Sequence, residues 1–319
     1  MRAFIFPGQG SQSVGMGKAL ADASPVARET FGEVDEALGQ HLLRLMAEGP
    51  AEDLTLTENA QPAIMANAIA TLRVLEREGG VRLADKCDYV AGHSLGEYSA
   101  LCAAGAFDLA TTARLLKRRG QAMQAAVPVG EGAMAALLGA DLDKAQAIAG
   151  AAVDSILAEG GPELVCTVAN DNDPSQVVIS GHRQAIERAI DIAKSLGAKR
   201  AVLLPVSAPF HCPLMQGAAD AMETALADAT VAAPLVPVYA NVDAAPIADP
   251  GAIRVALVRQ VTGMVRWRES VLAMAEAGVT EFVEFGGKVL APMVKRIVPD
   301  ASAVSVVTMD DIEDLLKKM

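Results

Sequence analysis

The feature that most constrains this chain is the pentapeptide Gly92-His93-Ser94-Leu95-Gly96, set directly after the short apolar run Tyr89-Val90-Ala91 and directly before a helical stretch starting at Leu95. Strand, tight turn and helix in that order place the turn at the edge of a sheet. Small residues at 92 and 96 permit the sharp turn and close helix packing, which leaves Ser94 exposed. The pattern G-x-S-x-G recurs by chance, so its weight comes from the strand before it and the helix after it. A serine hydroxyl is a poor nucleophile unless it is held exposed and a base removes its proton. The turn meets the first need, and a histidine is expected to meet the second. The competing reading is an ordinary serine in a glycine-rich turn.

Only four histidines are present: His41, His93, His182 and His211. His93 flanks the nucleophile and points the wrong way on a tight turn, although it is placed to line a pocket. His41 falls in an amphipathic helical region and His182 at a predicted helix start. His211 sits in Ser207-Ala208-Pro209-Phe210-His211-Cys212-Pro213, a loop that follows a strand, where sites tend to form. His211 is therefore the expected base. A serine hydrolase adds an Asp or Glu between Ser and His to orient the imidazole. No acid between 94 and 211 follows a strand of the main sheet, so another group, such as a backbone carbonyl, is expected there.

The rhythm of the chain supplies the frame. Residues 2–6 read as a strand ending at Pro7 in the loop Gly8-Gln9-Gly10-Ser11-Gln12, and a helix is predicted over 61–78 from Ile64, Ala68, Leu72 and Leu75. A further helix starts at Asp108 and carries Arg114, Lys117, Arg118 and Arg119. Strands are then predicted at 132–138, 164–170, 176–180 and 199–204, with helices at 141–157 and 182–196 and a turn at Asp171-Asn172-Asp173-Pro174. The order β-α-β-β-α-β is that of a split βαβ, or ferredoxin-like, unit, whose ends lie close enough for insertion into another domain. Residues 128–205 are read as that small inserted subdomain. Residues 1–127 and 206–319 form a discontinuous α/β subdomain, with strands near 236–240 and 281–285 and helices near 250–260 and 267–277. Such alternation implies a largely parallel sheet covered by helices on both faces.

Four motifs in this order resemble one family. They are Phe6-Pro7-Gly8-Gln9-Gly10-Ser11-Gln12, Gly92-His93-Ser94-Leu95-Gly96-Glu97-Tyr98, Arg119-Gly120 and Pro209-Phe210-His211, and together they look like the signature set of malonyl-CoA:acyl carrier protein transacylases. The resemblance runs from the first strand to Gly287-Lys288-Val289-Leu290. It implies an α/β-hydrolase-like large subdomain with a ferredoxin-like insert. It also implies transfer of a malonyl group from malonyl-CoA to the phosphopantetheine thiol of acyl carrier protein, through a malonyl-serine, in fatty acid synthesis. Carried over by position, Ser94 is the acylated residue, His211 its base, and Gln260 the residue whose backbone carbonyl steadies the histidine. The backbone N–H groups of Gln9 and Leu95 form the oxyanion hole. Arg119 pairs with the free malonyl carboxylate; nothing local distinguishes it from Arg118. Gln61 and Asn172 match positions near the acyl and CoA sites. Leu95 and Phe210 resemble the malonyl rather than the methylmalonyl form of their motifs. One departure is Glu284-Phe285-Gly286-Gly287-Lys288, which has one residue fewer between its glycines than the family's usual pattern.

Composition bounds the partners. The net charge of −12 argues against a broad nucleic-acid or anionic-membrane surface, though not against local docking of an acidic carrier. Lys117, Arg118, Lys194, Lys199, Arg200, Lys295 and Arg296 are candidates for a basic patch. Cys87, Cys102, Cys166 and Cys212 are scattered, without CxxC spacing, and the chain opens on a strand rather than a targeting segment; a reducing cytoplasm is the expectation. No ligand cluster implies a metal or redox cofactor, and no apolar run approaches a membrane span. The rival readings are a free-standing acyltransferase of a polyketide pathway, a thioesterase or esterase, and a non-catalytic module of the same fold.

Overall fold

The computed structural model describes residues 1–319. Strand β1 (Arg2–Phe6) is apolar on both faces, with Ala3, Phe4, Ile5 and Phe6 all buried. A strand in the middle of a parallel sheet, covered by helices on each side, accommodates that pattern. It pairs in parallel with β2 (Tyr89–Gly92) on one side and with β9 (Glu281–Phe285) on the other. Ala3 and Ile5 join Trp267, Val271 and Met274 in one core layer, whereas Phe4 and Phe6 face the layer built on the helix Thr57–Arg77.

The remaining strands are β3 (Gly132–Leu138), β4 (Cys166–Asp173), β5 (Gln176–His182), β6 (Arg200–Leu203), β7 (Val238–Ala240), β8 (Ala245–Ile247) and β10 (Ser302–Val306). They form two sheets. The large one has the order β10-β9-β1-β2-β7-β8, parallel except for the β7–β8 hairpin. From β1 the chain moves outward through β2, β7 and β8 and then returns to the opposite side of β1 as β9 and β10. Ligands bind at the carboxyl ends of strands where the order reverses in this way. β1 and β2 deliver Gln9 and Ser94 to that place.

The small sheet has the order β4-β5-β3-β6 and is antiparallel throughout, which is the ferredoxin-like arrangement. Alternation along β3 divides its residues between two layers. Ala133, Ala135 and Leu137 pack with the helices Leu142–Ala158 and Arg183–Ala193, while Met134 and Ala136 join the core of the large subdomain. The architecture is thus an α/β-hydrolase-like body with a ferredoxin-like insert lying over the strand ends. No helix is long and apolar enough to cross a membrane.

One expectation fails here. Asp171, Asn172 and Asp173 are not a turn; β4 continues through them, and the turn is Pro174-Ser175. The cause is long-range pairing. The Asp171 and Asp173 side chains are fully buried, against Arg268 at 2.8 Å and Arg296 at 2.9 Å. The backbone is also held, because Asp171 N–H donates to Val265 O (3.0 Å) and Val265 N–H to Ala169 O (2.8 Å). The fold also contains β8 and β10, and the helix predicted over 61–78 starts at Thr57.

Candidate active site

Ser94 sits between β2 and the helix Leu95–Ala103 with φ 54° and ψ −111°, a left-handed backbone uncommon for a residue with a side chain. The two flanking glycines are required by proximity. A Cβ on Gly92 would lie 1.9 Å from the Gly96 backbone, and one on Gly96 would lie 2.2 Å from Phe6 O. The first helical turn therefore rests against the end of β1 and the start of the Gln9 loop. His93 N–H donates to Phe6 O (3.1 Å), which ties the two segments together. The backbone N–H groups of Gln9 and Leu95 have no hydrogen-bond partner within the protein, as an oxyanion hole requires.

Ser94 Oγ lies 2.7 Å from His211 Nε2, and His211 Nδ1 lies 2.9 Å from the backbone carbonyl oxygen of Gln260. A carbonyl only accepts, so Nδ1 carries the proton and Nε2 is left to accept from the serine hydroxyl. His211 is buried, and its pKa is pushed down to about 3, first by burial and next by the Arg119 guanidinium. It is therefore a neutral imidazole at neutral pH, the state a base needs.

Arg119 is buried, whereas its neighbour Arg118 is exposed. The two residues lie on different faces of the helix Leu109–Ala125, a distinction the local sequence did not reveal. The Arg119 guanidinium donates from Nη1 to Gln61 Oε1 (2.9 Å), and from Nη2 to Gln260 Oε1 (2.9 Å) and Ser94 Oγ (3.1 Å). All three partners are neutral. Its carbon stands 5.7 Å from the centre of the Tyr98 ring, and burial lowers its pKa. A buried arginine with no carboxylate beside it is poised for an anion from outside.

These groups open onto a cavity of about 310 Å³, lined by Gln9, Gln61, His93, Ser94, Arg119, Met123, Met134, Phe210 and His211 among others. Asn172 does not line it. It receives His93 instead (Nε2 to Asn172 Oδ1, 2.8 Å) and borders an adjoining cavity with Gly8, Gln9 and Leu290. His41 is exposed at the start of the helix Leu42–Glu48, and His182 Nδ1 accepts from Val165 N–H; neither lines the cavity. No three His, Cys, Asp or Glu side chains converge in a way that could hold a metal ion.

An acyl transferase domain family model matches residues 3–306. The malonyl CoA-acyl carrier protein transacylase of Escherichia coli K12 is 47% identical over 302 residues, covering 94% of each chain. The chain belongs to the malonyl CoA-acyl carrier protein transacylase family. Among solved structures, the acyl-carrier-protein-S-malonyltransferase of Bartonella henselae is 52% identical and superposes with a TM-score of 0.94, covering 99% of this chain and 98% of that one. A malonyl-transacylase solved in complex with a type II PKS acyl-carrier protein is 41% identical, with a TM-score of 0.93 over 100% of this chain and 99% of its own.

In this member of the family, two residues beneath the serine turn escaped the sequence reading. Asn241, immediately after β7, accepts from Ser94 N–H through Oδ1 (2.8 Å) and donates from Nδ2 to Gly92 O (2.7 Å). A polar residue at the carboxyl end of a parallel strand was the available signal. Glu97 is buried in the first turn of the Ser94 helix, where an acid is ordinarily read as complementing the helix dipole. Two of the candidate basic-patch residues are already engaged: Lys117 with Glu58 and Arg296 with Asp173. The shortened loop is ordered around Glu284, whose carboxylate accepts from the N–H groups of Val289, Leu290 and Ala291 and from the Ser305 hydroxyl.

Proposed function

We propose that this acyltransferase moves a malonyl group from malonyl-CoA to the phosphopantetheine thiol of an acyl carrier protein through malonyl-Ser94, in fatty acid synthesis. His211 Nε2 takes the hydroxyl proton as Ser94 Oγ attacks the thioester carbonyl, and the resulting oxyanion faces the N–H groups of Gln9 and Leu95. The C–S bond then breaks, and the imidazolium returns the proton to the departing CoA thiolate. In the second half-reaction His211 takes the proton of the carrier thiol, the thiolate attacks the acyl-serine, and Ser94 leaves reprotonated. The Gln260 carbonyl holds the imidazole tautomer throughout. Arg119, oriented by Gln61 and Gln260, binds the free carboxylate of the acyl group, and Phe210 limits room at the α-carbon. His93 and Asn172 border the approach along which the pantetheine arm enters.

The observation that carries this reading is the Ser94–His211–Gln260 carbonyl chain joined at Ser94 Oγ to a buried arginine without a counter-ion. Every proton is exchanged among these side chains and the two thiols, so the scheme calls for no metal or redox cofactor. Residues 128–205 are assigned as the insert, residues 1–127 and 206–319 as the catalytic subdomain, and the cytoplasm as the place where both substrates meet the enzyme. The test is steady-state transfer from malonyl-CoA to the holo carrier of a fatty acid system and to that of a polyketide system. Parallel double-reciprocal lines and a fatty acid carrier preferred over water support the proposal. Faster release of malonate to water than to either carrier would point to a thioesterase, and preference for the polyketide carrier would assign the other pathway.

A further inference from the structure

Glu97 has no role in the scheme above, yet it is fully buried within one helical turn of the nucleophile. Its Oε2 accepts from Asn241 N–H (2.9 Å) and from Gln260 Nε2 (2.8 Å), while Oε1 has no partner. The Gln260 amide is sorted by these surroundings. Its nitrogen faces only acceptors, namely Glu97 Oε2, Ser94 O (3.0 Å) and Asn241 Oδ1 (3.3 Å), and its oxygen faces Arg119 Nη2 (2.9 Å). A turned amide would set oxygen against oxygen on one side and N–H against guanidinium on the other. Glu97 makes the shortest of the three contacts to the nitrogen and is the only acid among them.

The intervening amide has a chemical consequence. A carboxylate paired directly with Arg119 would fill the guanidinium fork and neutralise it, leaving nothing for the carboxylate of an acyl group. With Gln260 between them, the acid fixes the arginine without consuming its charge. We propose that Glu97 is a positioning residue for acyl selection, holding the Gln260 side chain with its oxygen toward Arg119 so that the guanidinium stays oriented for an acyl carboxylate. The inference rests on the reading that Arg119 binds that carboxylate, and its test separates the two.

The test compares second-order loading rates from malonyl-CoA and acetyl-CoA in wild type, Glu97→Gln, Glu97→Leu and Arg119→Met. The amide of Glu97→Gln offers the same acceptor, so its malonyl-to-acetyl ratio should stay within about 3-fold of wild type. Glu97→Leu removes the acceptor, and its ratio should fall about 10- to 100-fold, the factor carried by a lost hydrogen bond in a charged network. Where Glu97→Leu does not fold, Glu97→Met serves as the flexible apolar replacement. An unchanged ratio in the apolar variant, or a loss in Glu97→Gln as large as in Glu97→Leu, overturns the inference. If Arg119→Met itself leaves the ratio unchanged, it is the underlying reading of Arg119 that fails. A structure of Glu97→Gln should retain the contact between Gln260 Oε1 and Arg119, and a turned Gln260 amide there would contradict the proposal.

Discussion

The base at Ser94 should work far into acid. An exposed histidine with a pKa near 6.5 is neutral in only about 3% of molecules at pH 5. With its pKa pushed down to about 3, His211 is neutral in about 99% of molecules at that pH. Acylation by a neutral ester that does not titrate, such as p-nitrophenyl acetate, should therefore run at the same rate from pH 8 down to about 5, read as the p-nitrophenol burst at its isosbestic wavelength. Burial is the first cause of the depression and the Arg119 charge the second. Arg119→Met keeps the burial and removes the charge, so its acid limb should move upward toward 6.5 without fully reaching it. The same shift has a consequence for stability. Between about pH 3 and 6.5 the unfolded chain binds a proton at this position and the folded chain does not, so His211 lowers stability as the pH falls through that window. Circular dichroism at each pH separates loss of fold from loss of rate. A wild-type limb near 6.5 with the fold intact, or an Arg119→Met limb no higher than wild type, would refute the electrostatic account.

Two further perturbations address the turn itself. Asn241→Ala removes both side-chain hydrogen bonds that clamp the backbone on either side of His93, at 2.8 and 2.7 Å. We expect a loss of about 2–3 kcal/mol in urea unfolding and a larger change in kcat than in KM; unaltered unfolding and turnover would show that the turn holds without it. Gly96→Ala sets a Cβ 2.2 Å from Phe6 O, which forces the Ser94 helix away from the Gln9 loop and widens the oxyanion hole. The expected result is a fall of about 100-fold or more in single-turnover acylation, with little change in malonyl-CoA binding; wild-type turnover would contradict it.

Much of this was readable from the chain because it is locally encoded. The serine turn needs two small residues at fixed spacing between a strand and a helix, and the ferredoxin-like unit needs only the order of its elements. His211 emerged by elimination among four histidines, and the missing acid pointed toward a non-carboxylate partner, the position that the Gln260 carbonyl occupies beside Nδ1. Where the sequence misled, the deciding contact was distant. Asp171-Asn172-Asp173 has the composition of a turn, but Arg268 and Arg296 lie 97 and 123 positions away and draw it into a strand. Arg119 differs from Arg118 only by the helical face it occupies, the face buried with Leu115, Leu116 and Met123, where it meets Gln61 and Gln260 of other helices. Glu97 and Asn241 occupy ordinary local positions, at a helix start and just after a strand end. Both make their hydrogen bonds where three segments meet under Ser94.

The central claim is that Ser94 carries the malonyl group between the two thiols. Brief incubation with malonyl-CoA, followed by intact mass measurement and peptide mapping, tests it directly. The account predicts one malonyl adduct per chain on the peptide containing Ser94, absent in Ser94→Ala and discharged by a carrier thiol. No adduct on the wild type, or an undiminished adduct in Ser94→Ala, would contradict it.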